Sequence, residues 1–176
     1  MSVIFPEATQ VYGNTSVAVV QDMADMSAPD LSTDILASTT VNVSCFLYSG
    51  GVGTSTTNKG EAPRRLCTTS VLQNFGTTTY EVTDLQYTYD PQAALSTDDN
   101  KARAALTEGS EVYLILRRGL NAQDTAFAAG QYVDVWHVRL GPQNKTQTGD
   151  GEFDEYSVTQ TVVAIEPPVE DVQILA

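Results

Sequence analysis

The sequence predicts a mainly β fold with one flanking helix, and three observations carry this prediction. Residues 131–141 alternate with a period of two and are rich in Val and aromatic side chains, which is typical of a strand. Charged residues make up only 18% of the chain, below the usual share of about 25%. Only one segment, near residue 100, shows an apolar stripe with helical spacing.

Residues 131–141 are predicted to form a central strand against which the rest of the chain packs. Tyr132, Trp136 and Val138 fall on one face, where Asp134 interrupts the apolar pattern. Val133 and Val135 fall on the other face, so both faces are expected to be covered at this end of the strand.

The first third of the chain is predicted to contain short elements joined by polar segments. Residues 1–14 have weak patterning and are interpreted as an N-terminal arm that is ordered only if something docks on it. Strands are predicted at 15–21 and 41–47. Between them lies an acidic loop, in which Asp30 could cap a short helix over residues 30–36.

Residues 49–63 form the longest segment without a clear periodic pattern and are predicted to be a loop that contacts another molecule. The segment holds four glycines and a run of Ser and Thr. Long structureless loops in compact domains are usually functional. The Gly-Gly-Val-Gly sequence at 50–53 resembles a phosphate-binding loop, but the Gly-Lys-Ser/Thr ending that binds phosphate and metal is missing.

Residues 77–90 are predicted to form a strand with a bulge. Tyr80 and Val82 lie on one parity, whereas Leu85 and Tyr87 lie on the other. One extra residue at Thr83–Asp84 would return these side chains to a single face, as a β-bulge does.

The segment 96–107 predicts the one helix, over residues 97–107. Ser96 and Asp99 have the spacing of a capping box, and Gly109 is placed to end the helix. Its apolar stripe consists of Ala102, Ala105 and Leu106, which are expected to dock on the sheet.

The remainder of the chain predicts two long strands and a terminal arm. Residues 111–118 are apolar on both faces and are interpreted as a buried strand, and residues 156–165 form another strand. The double proline at 167–168 should separate residues 166–176 as a C-terminal arm.

No catalytic, cofactor-binding or metal-binding residues are predicted. His137, the only histidine, lies within a strand and is interpreted as a packed or partly exposed sheet residue. Cys45 and Cys67 match no zinc or redox spacing and are expected to be reduced thiols, although a disulfide remains an alternative. The acidic cluster at 150–155 lacks the spacing of a calcium loop and is interpreted as a solvated turn.

The net charge of the chain argues against a protein that binds nucleic acid tightly. The formal net charge is −13, and no Lys/Arg cluster is present to neutralise phosphates. Neither a secretion leader nor an apolar segment long enough to cross a membrane is recognised, so a cytoplasm-like site of synthesis is expected.

Several stretches resemble the major tail tube proteins of long-tailed bacteriophages, in particular those carried by phages of actinobacteria. The resemblance extends from about Val41 onward and rests on the order and spacing of these stretches together with the helix. They are Arg-Arg-Leu-Cys at 64–67, Leu-Gln-Tyr-Thr-Tyr-Asp-Pro at 85–91, residues 111–119, and Phe-Ala-Ala-Gly-Gln-Tyr-Val-Asp-Val-Trp-His-Val-Arg-Leu-Gly at 127–141. One departure is that a proline often follows this Trp in the family, where this chain has His137.

The resemblance implies a single domain, residues 1–176, with a β-sandwich or barrel, one flanking helix and no enzymatic activity. Such proteins form hexameric rings that stack into a hollow tube. The tube holds the tape-measure protein, conducts DNA during ejection, and is bounded by tail terminator and tail tip proteins. By the same resemblance, the long loop at 49–63 and the arms at 1–14 and 166–176 contact neighbouring subunits. The expected location is the virion tail, after assembly in the host cytoplasm and without membrane binding.

An alternative class remains open on sequence grounds. A β-sandwich binding or decoration module on a virion surface would share the composition and the strand pattern. It would be a compact monomer or a small oligomer, with the loop at 49–63 free in solution.

Overall fold

The computed structural model describes residues 8–176, and within this range the fold is a curled antiparallel β-sheet with a projecting hairpin. The strands are β1 (Thr15–Val20), β2 (Val41–Asn42), β3 (Leu47–Ser49), β4 (Gly53–Glu61), β5 (Gln73–Val82), β6 (Leu85–Thr88), β7 (Glu111–Arg118), β8 (Tyr132–Gln147), β9 (Tyr156–Ala164) and β10 (Val169–Gln173). Helical segments are a π-helical turn (Leu31–Ile35), a 3₁₀ turn (Asp98–Asn100) and α1 (Lys101–Ala105).

The order of strands in the main sheet explains its curl. The order is β2-β1-β7-β8-β9-β6-β3, with β10 paired to β8. The two outermost strands, β2 and β3, are consecutive in the chain and are separated only by residues 43–46. So short a connection can join the two edges only if the sheet bends round on itself. The mainly β fold predicted from the sequence is therefore confirmed.

The curled sheet carries a core on each of its faces. Trp136, Val138 and Leu140 of β8 lie in the larger core, inside the curl. Val133 and Val135 point to the opposite face, where a smaller core is covered by residues 23–35 and by Ile174. The prediction that β8 is covered on both faces at this end is confirmed. Asp134, which interrupts the apolar parity, is paired with Arg118 and accepts a hydrogen bond from the backbone N–H of Asp171.

The strand predicted at 41–47 is confirmed only at its ends, as β2 and the start of β3, because local side-chain hydrogen bonds divide it. The Asn42 carboxamide oxygen accepts from the backbone N–H and the hydroxyl of Ser44, at 3.0 and 2.6 Å. The Ser44 hydroxyl oxygen also accepts from the N–H of Val17 at 2.8 Å. Such local bonding competes with a strand ladder, and it turns the chain from β2 into β3.

The parity change at Thr83–Asp84 marks a break between two strands rather than a bulge within one. β5 pairs with β4 in a separate two-stranded sheet, whereas β6 pairs with β9 in the main sheet. The chain thus leaves the hairpin and enters the body at the residues where the apolar pattern shifts.

The predicted helix at 97–107 is present but shorter, and the predicted capping box is wrong. The helical segments together cover residues 98–105, and the N-cap of the 3₁₀ turn is Thr97, without a side-chain cap. Asn100 is fully buried, and its carboxamide bonds to the backbone of Asp90 and donates to the carbonyls of Ala93 and Ala94. These bonds fix the approach to the helix from the preceding loop. Ala102, Ala105 and Leu106 are buried as predicted.

The short helix predicted after Asp30 is confirmed as one π-helical turn. The Asp30 carboxylate accepts from the backbone N–H groups of Ser32 and Thr33, at 2.8 and 2.9 Å. The Ser32 hydroxyl also donates to it, and together these bonds lower the pKa of Asp30 to about 2.

The C-terminal segment, residues 166–176, packs on its own subunit rather than projecting as an arm. β10 continues along the edge of β8 that β9 occupies further on, so the double proline interrupts pairing without detaching the chain. Ile174 is buried in the smaller core, and the N–H of Leu175 donates to the carbonyl of Pro29. The long β8 provides the pairing edge that the sequence pattern of residues 166–176 alone does not reveal.

A buried arginine holds the loop between β7 and β8 in place. Arg117 is 1% exposed, and burial lowers its pKa. Its guanidinium lies over the ring of Phe127 and donates to the Ser16 hydroxyl, the Gln131 side chain and the carbonyls of Asn121, Thr125 and Ala126. The cation is thus surrounded by neutral oxygen atoms, and it ties residues 121–131 to β1.

Candidate assembly surfaces

The β4–β5 hairpin projects from the body without a core of its own. Its strands pair from Gly53 opposite Val82 to Glu61 opposite Gln73. Beyond the root nearly every side chain is exposed, and the contacts across the pair are polar, such as the 2.9 Å bond between the hydroxyls of Thr57 and Thr78. A two-stranded hairpin with no buried face is marginally stable by itself. The hairpin therefore offers a surface to a partner.

Glycines at the root of the hairpin allow the backbone to approach the body closely. A Cβ atom on Gly53 would overlap the six-membered ring of Trp136, which is fully buried. Gly50 has a φ of +98°, and a Cβ atom there would overlap the carbonyl group of Asp84. The glycine-rich sequence at 50–53 thus positions the hairpin, and its likeness to a phosphate-binding loop has no structural counterpart.

The tip of the hairpin, residues 62–72, combines exposed apolar and cationic side chains. Leu66 is fully exposed, Leu72 is 68% exposed, and Phe75 just below the tip is 78% exposed. Arg64 and Arg65 are exposed beside them. Large apolar side chains grouped on one projection indicate a contact surface.

A second projection, the acidic turn at 148–155, joins β8 to β9. The Asp154 carboxylate organises the turn by accepting from the Thr148 hydroxyl at 2.9 Å and from the N–H of Gly151. Phe153 is 92% exposed at its apex. The predicted solvated turn is confirmed, and it also presents an aromatic ring to solvent.

The described part of the predicted N-terminal arm is a third exposed segment. Residues 1–7 lie outside the described residues. Val11 and Tyr12 are 73% and 96% exposed, and the chain is tied to the body through bonds from Gly119 and Ala122 to the carbonyls of Asn14 and Gly13.

The other residues considered from the sequence show no arrangement for chemistry. His137 stacks on Tyr113, with ring centroids 4.3 Å apart, and its Nδ1 lies 2.7 Å from a Glu166 carboxylate oxygen, as expected for a partly exposed sheet histidine. Cys45 and Cys67 are both exposed and unpaired. Within residues 8–176, no three His, Cys, Asp or Glu side chains are grouped as metal ligands, and no helix has the length and apolar character for a membrane span.

Comparison with known protein families decides the class of this protein. The model of a family described as phage tail tube protein matches residues 4–176, which is nearly the whole chain. The chain belongs to the phage tail tube protein family. No curated protein sequence gives a significant match.

Membership of the tail tube family makes the chain a structural component of a virion tail. Proteins of this family assemble with copies of themselves into a tube. The candidate contact surfaces for this assembly are therefore those that remain exposed on the single subunit. The hairpin, the acidic turn and the N-terminal segment are the described surfaces of this kind.

The first strand of the hairpin, β4, is not recognisable from apolar periodicity, whereas the parity of Tyr80 and Val82 identifies the second half of β5. The loop predicted at 49–63 is wrong for residues 53–61, which form β4; the segment has no alternation of apolar and polar residues that would indicate a strand. The usable signal is the presence of β-branched Thr on both sides of the tip, at 54–57 and 77–79. Alternation reports burial on one face, and it is absent when both faces are exposed.

Proposed function

We propose that this chain is the major tail tube subunit of a long-tailed, siphovirus-type actinobacteriophage. Six copies form a ring, and the rings stack into a hollow tube. Tube formation takes place in the host cytoplasm, around the tape-measure protein and between tail tip and tail terminator proteins. The observation that carries the proposal is the hairpin. The main sheet has a core on each face, whereas nearly all side chains of the hairpin beyond its root are exposed on the single subunit.

The hairpin and the N-terminal residues are proposed to contact neighbouring subunits, whereas the C-terminal residues are not. The contact segment implied at 49–63 covers only the first strand and part of the tip of the hairpin. Because β4 and β5 form one unit, we propose that the whole hairpin, residues 53–82, makes the contact. Within the described part of the chain, the outer edges of both hairpin strands are unpaired, and the hairpin also has exposed apolar side chains. Both features favour addition of strands or side chains from another copy.

The acidity of the chain fits a tube through which DNA passes. A ring of six chains would carry 6 × 13 = 78 negative charges. Carboxylates facing the bore would repel phosphates and let DNA slide, whereas a basic bore would bind it through counterion release. A reconstruction of the assembled tube tests this directly, because a bore lined mainly by Lys and Arg would contradict it.

Removing the hairpin tip is expected to abolish assembly and leave the subunit folded. Residues 62–72 are replaced by Asn-Gly, a two-residue turn that suits the closing pair of Glu61 and Gln73. The tip side chains are exposed, so we expect the thermal unfolding midpoint of the dispersed subunit to stay close to that of the wild type.

Negative-stain microscopy at high protein concentration gives the readout. The wild-type protein should form tubes or stacked rings, and the shortened variant should form single particles. Uniform small particles from the wild type would favour the alternative of a decoration module. Tubes formed equally well by the shortened variant would contradict the role of the hairpin.

A further inference from the structure

Among the three projections described above, the hairpin is the one whose charge opposes that of the rest of the chain. Residues 53–82 contain Lys59, Arg64 and Arg65 against Glu61 and Glu81, a net charge of 3 − 2 = +1. The remainder of the chain therefore carries −13 − 1 = −14.

The arginine pair at the hairpin tip has no counter-ion among the residues that the structure describes. The ion pairs within residues 8–176 join Arg118 to Asp134, His137 to Glu166, and Arg139 to Glu111. The two tip guanidinium groups are thus available, next to the fully exposed Leu66.

The acidic turn has the complementary composition. It carries Asp150, Glu152, Asp154 and Glu155 around the exposed ring of Phe153. Asp154 is engaged by its own turn, and Glu155 accepts from the Tyr48 hydroxyl. Asp150 and Glu152 form no side-chain hydrogen bond within the described chain, so they are free to bind a cation.

The two projections lie at opposite ends of the path formed by β5 and β6. β5 runs from the tip to the root of the hairpin. β6 then runs from Leu85, opposite Gln160, to Thr88, opposite Ser157, and so approaches the acidic turn. The Thr161 hydroxyl lies 3.5 Å from the Asp84 carboxylate, which holds the junction of the two strands against β9. A basic projection at one end and an acidic one at the other suit contact between successive copies.

We propose that the hairpin tip of one subunit docks on the acidic turn of a neighbouring copy. Arg64 and Arg65 pair with Asp150 and Glu152, and Leu66 packs on Phe153. This inference rests on the proposed function and names the receiving surface for the hairpin. The contact is heterologous, because two different patches meet, and it therefore repeats from copy to copy instead of closing a two-fold dimer.

The charges in this contact serve mainly to select the correct partner surface. Exposed ion pairs contribute little free energy each, so the apolar pair and the rest of the subunit interface supply most of the affinity. Opposite charges fix the register, and placing two tips or two acidic turns together would be repulsive.

Charge reversal with rescue tests the proposal. One variant carries R64E and R65E, a second carries D150R and E152R, and a third carries all four substitutions. All four positions are exposed, so the dispersed subunits should unfold at the wild-type temperature. Each reversal alone should raise the critical concentration for tube formation at least about tenfold, and the combined variant should return it to within about threefold of the wild type.

A charge-matched control separates this contact from a general effect of net charge. The variant E108R/E170R changes the net charge as D150R/E152R does, at two exposed positions outside both projections. It should not raise the critical concentration. A combined variant that assembles no better than the single reversals, or single reversals without effect, would overturn the proposal. Failure of the wild type to assemble would instead count against the proposed function.

Discussion

Substitution of Gly53 by alanine is expected to displace the hairpin and to prevent tube formation. The added methyl group would overlap the indole ring of Trp136, which is enclosed in the larger core and cannot turn away. Relief requires a shift of the hairpin root or of the core. Overpacking of this kind costs roughly 1–3 kcal/mol in unfolding free energy. The root sets the direction of the whole hairpin. G53A should therefore prevent tube formation even under conditions where the dispersed subunit remains folded.

Gly60, in the same strand, gives a matched control. A Cβ atom there meets no other atom within 4 Å, so the dispersed G60A subunit should unfold at or slightly above the wild-type temperature. Combining G53A with W136L removes the overlapped ring atoms. The double variant should therefore be less destabilised than the sum of the two single variants. Additive effects, or wild-type tubes from G53A, would contradict the role assigned to this contact.

Replacement of Arg117 by methionine is expected to lower the unfolding free energy of the subunit strongly. The change removes the donors that satisfy three part-buried backbone carbonyls and the buried Ser16 hydroxyl. Hydrogen bonds to a charged group contribute about 1.5–3 kcal/mol each, so a total loss of at least about 3 kcal/mol is expected even where water replaces the guanidinium at a part-buried carbonyl. For a chain of this size, that corresponds to a fall of roughly 6–12 °C in the unfolding midpoint.

Arg139 provides the comparison for Arg117. It is exposed and pairs with Glu111 on the neighbouring strand β7, so R139Q should change the unfolding free energy by less than about 1 kcal/mol. R117K should be intermediate, because it keeps the charge but cannot reach all five acceptors. Equal midpoints for R117M and R139Q in calorimetry would show that the guanidinium does not hold the loop.

The sequence is most informative where burial is one-sided or complete. β7 and β8 are identified from their apolar runs, and the helix from the buried stripe of Ala102, Ala105 and Leu106. These patterns arise because the apolar positions are the ones that the core buries. The fold class follows from them.

The segments that are predicted poorly are those whose structure depends on distant partners or on local polar bonds. Pairing of residues 166–176 with β8 depends on the free edge beyond β9, which no local pattern encodes. The break in the strand at 41–47 depends on the side chains of Asn42 and Ser44. The role of Arg117 is not recognisable from the sequence either. Its guanidinium donates mainly to backbone carbonyls of a loop that has no sequence pattern of its own.

Hydrogen exchange of the hairpin before and after assembly tests the central claim most directly. Beyond the root, the side chains of residues 53–82 are exposed on the dispersed subunit, and the amides there should exchange much faster than those of β7 and the core half of β8. In assembled tubes the same amides should be protected at least about tenfold more strongly, because another copy then covers them. Tubes in which residues 53–82 exchange as fast as on the free subunit would contradict the account.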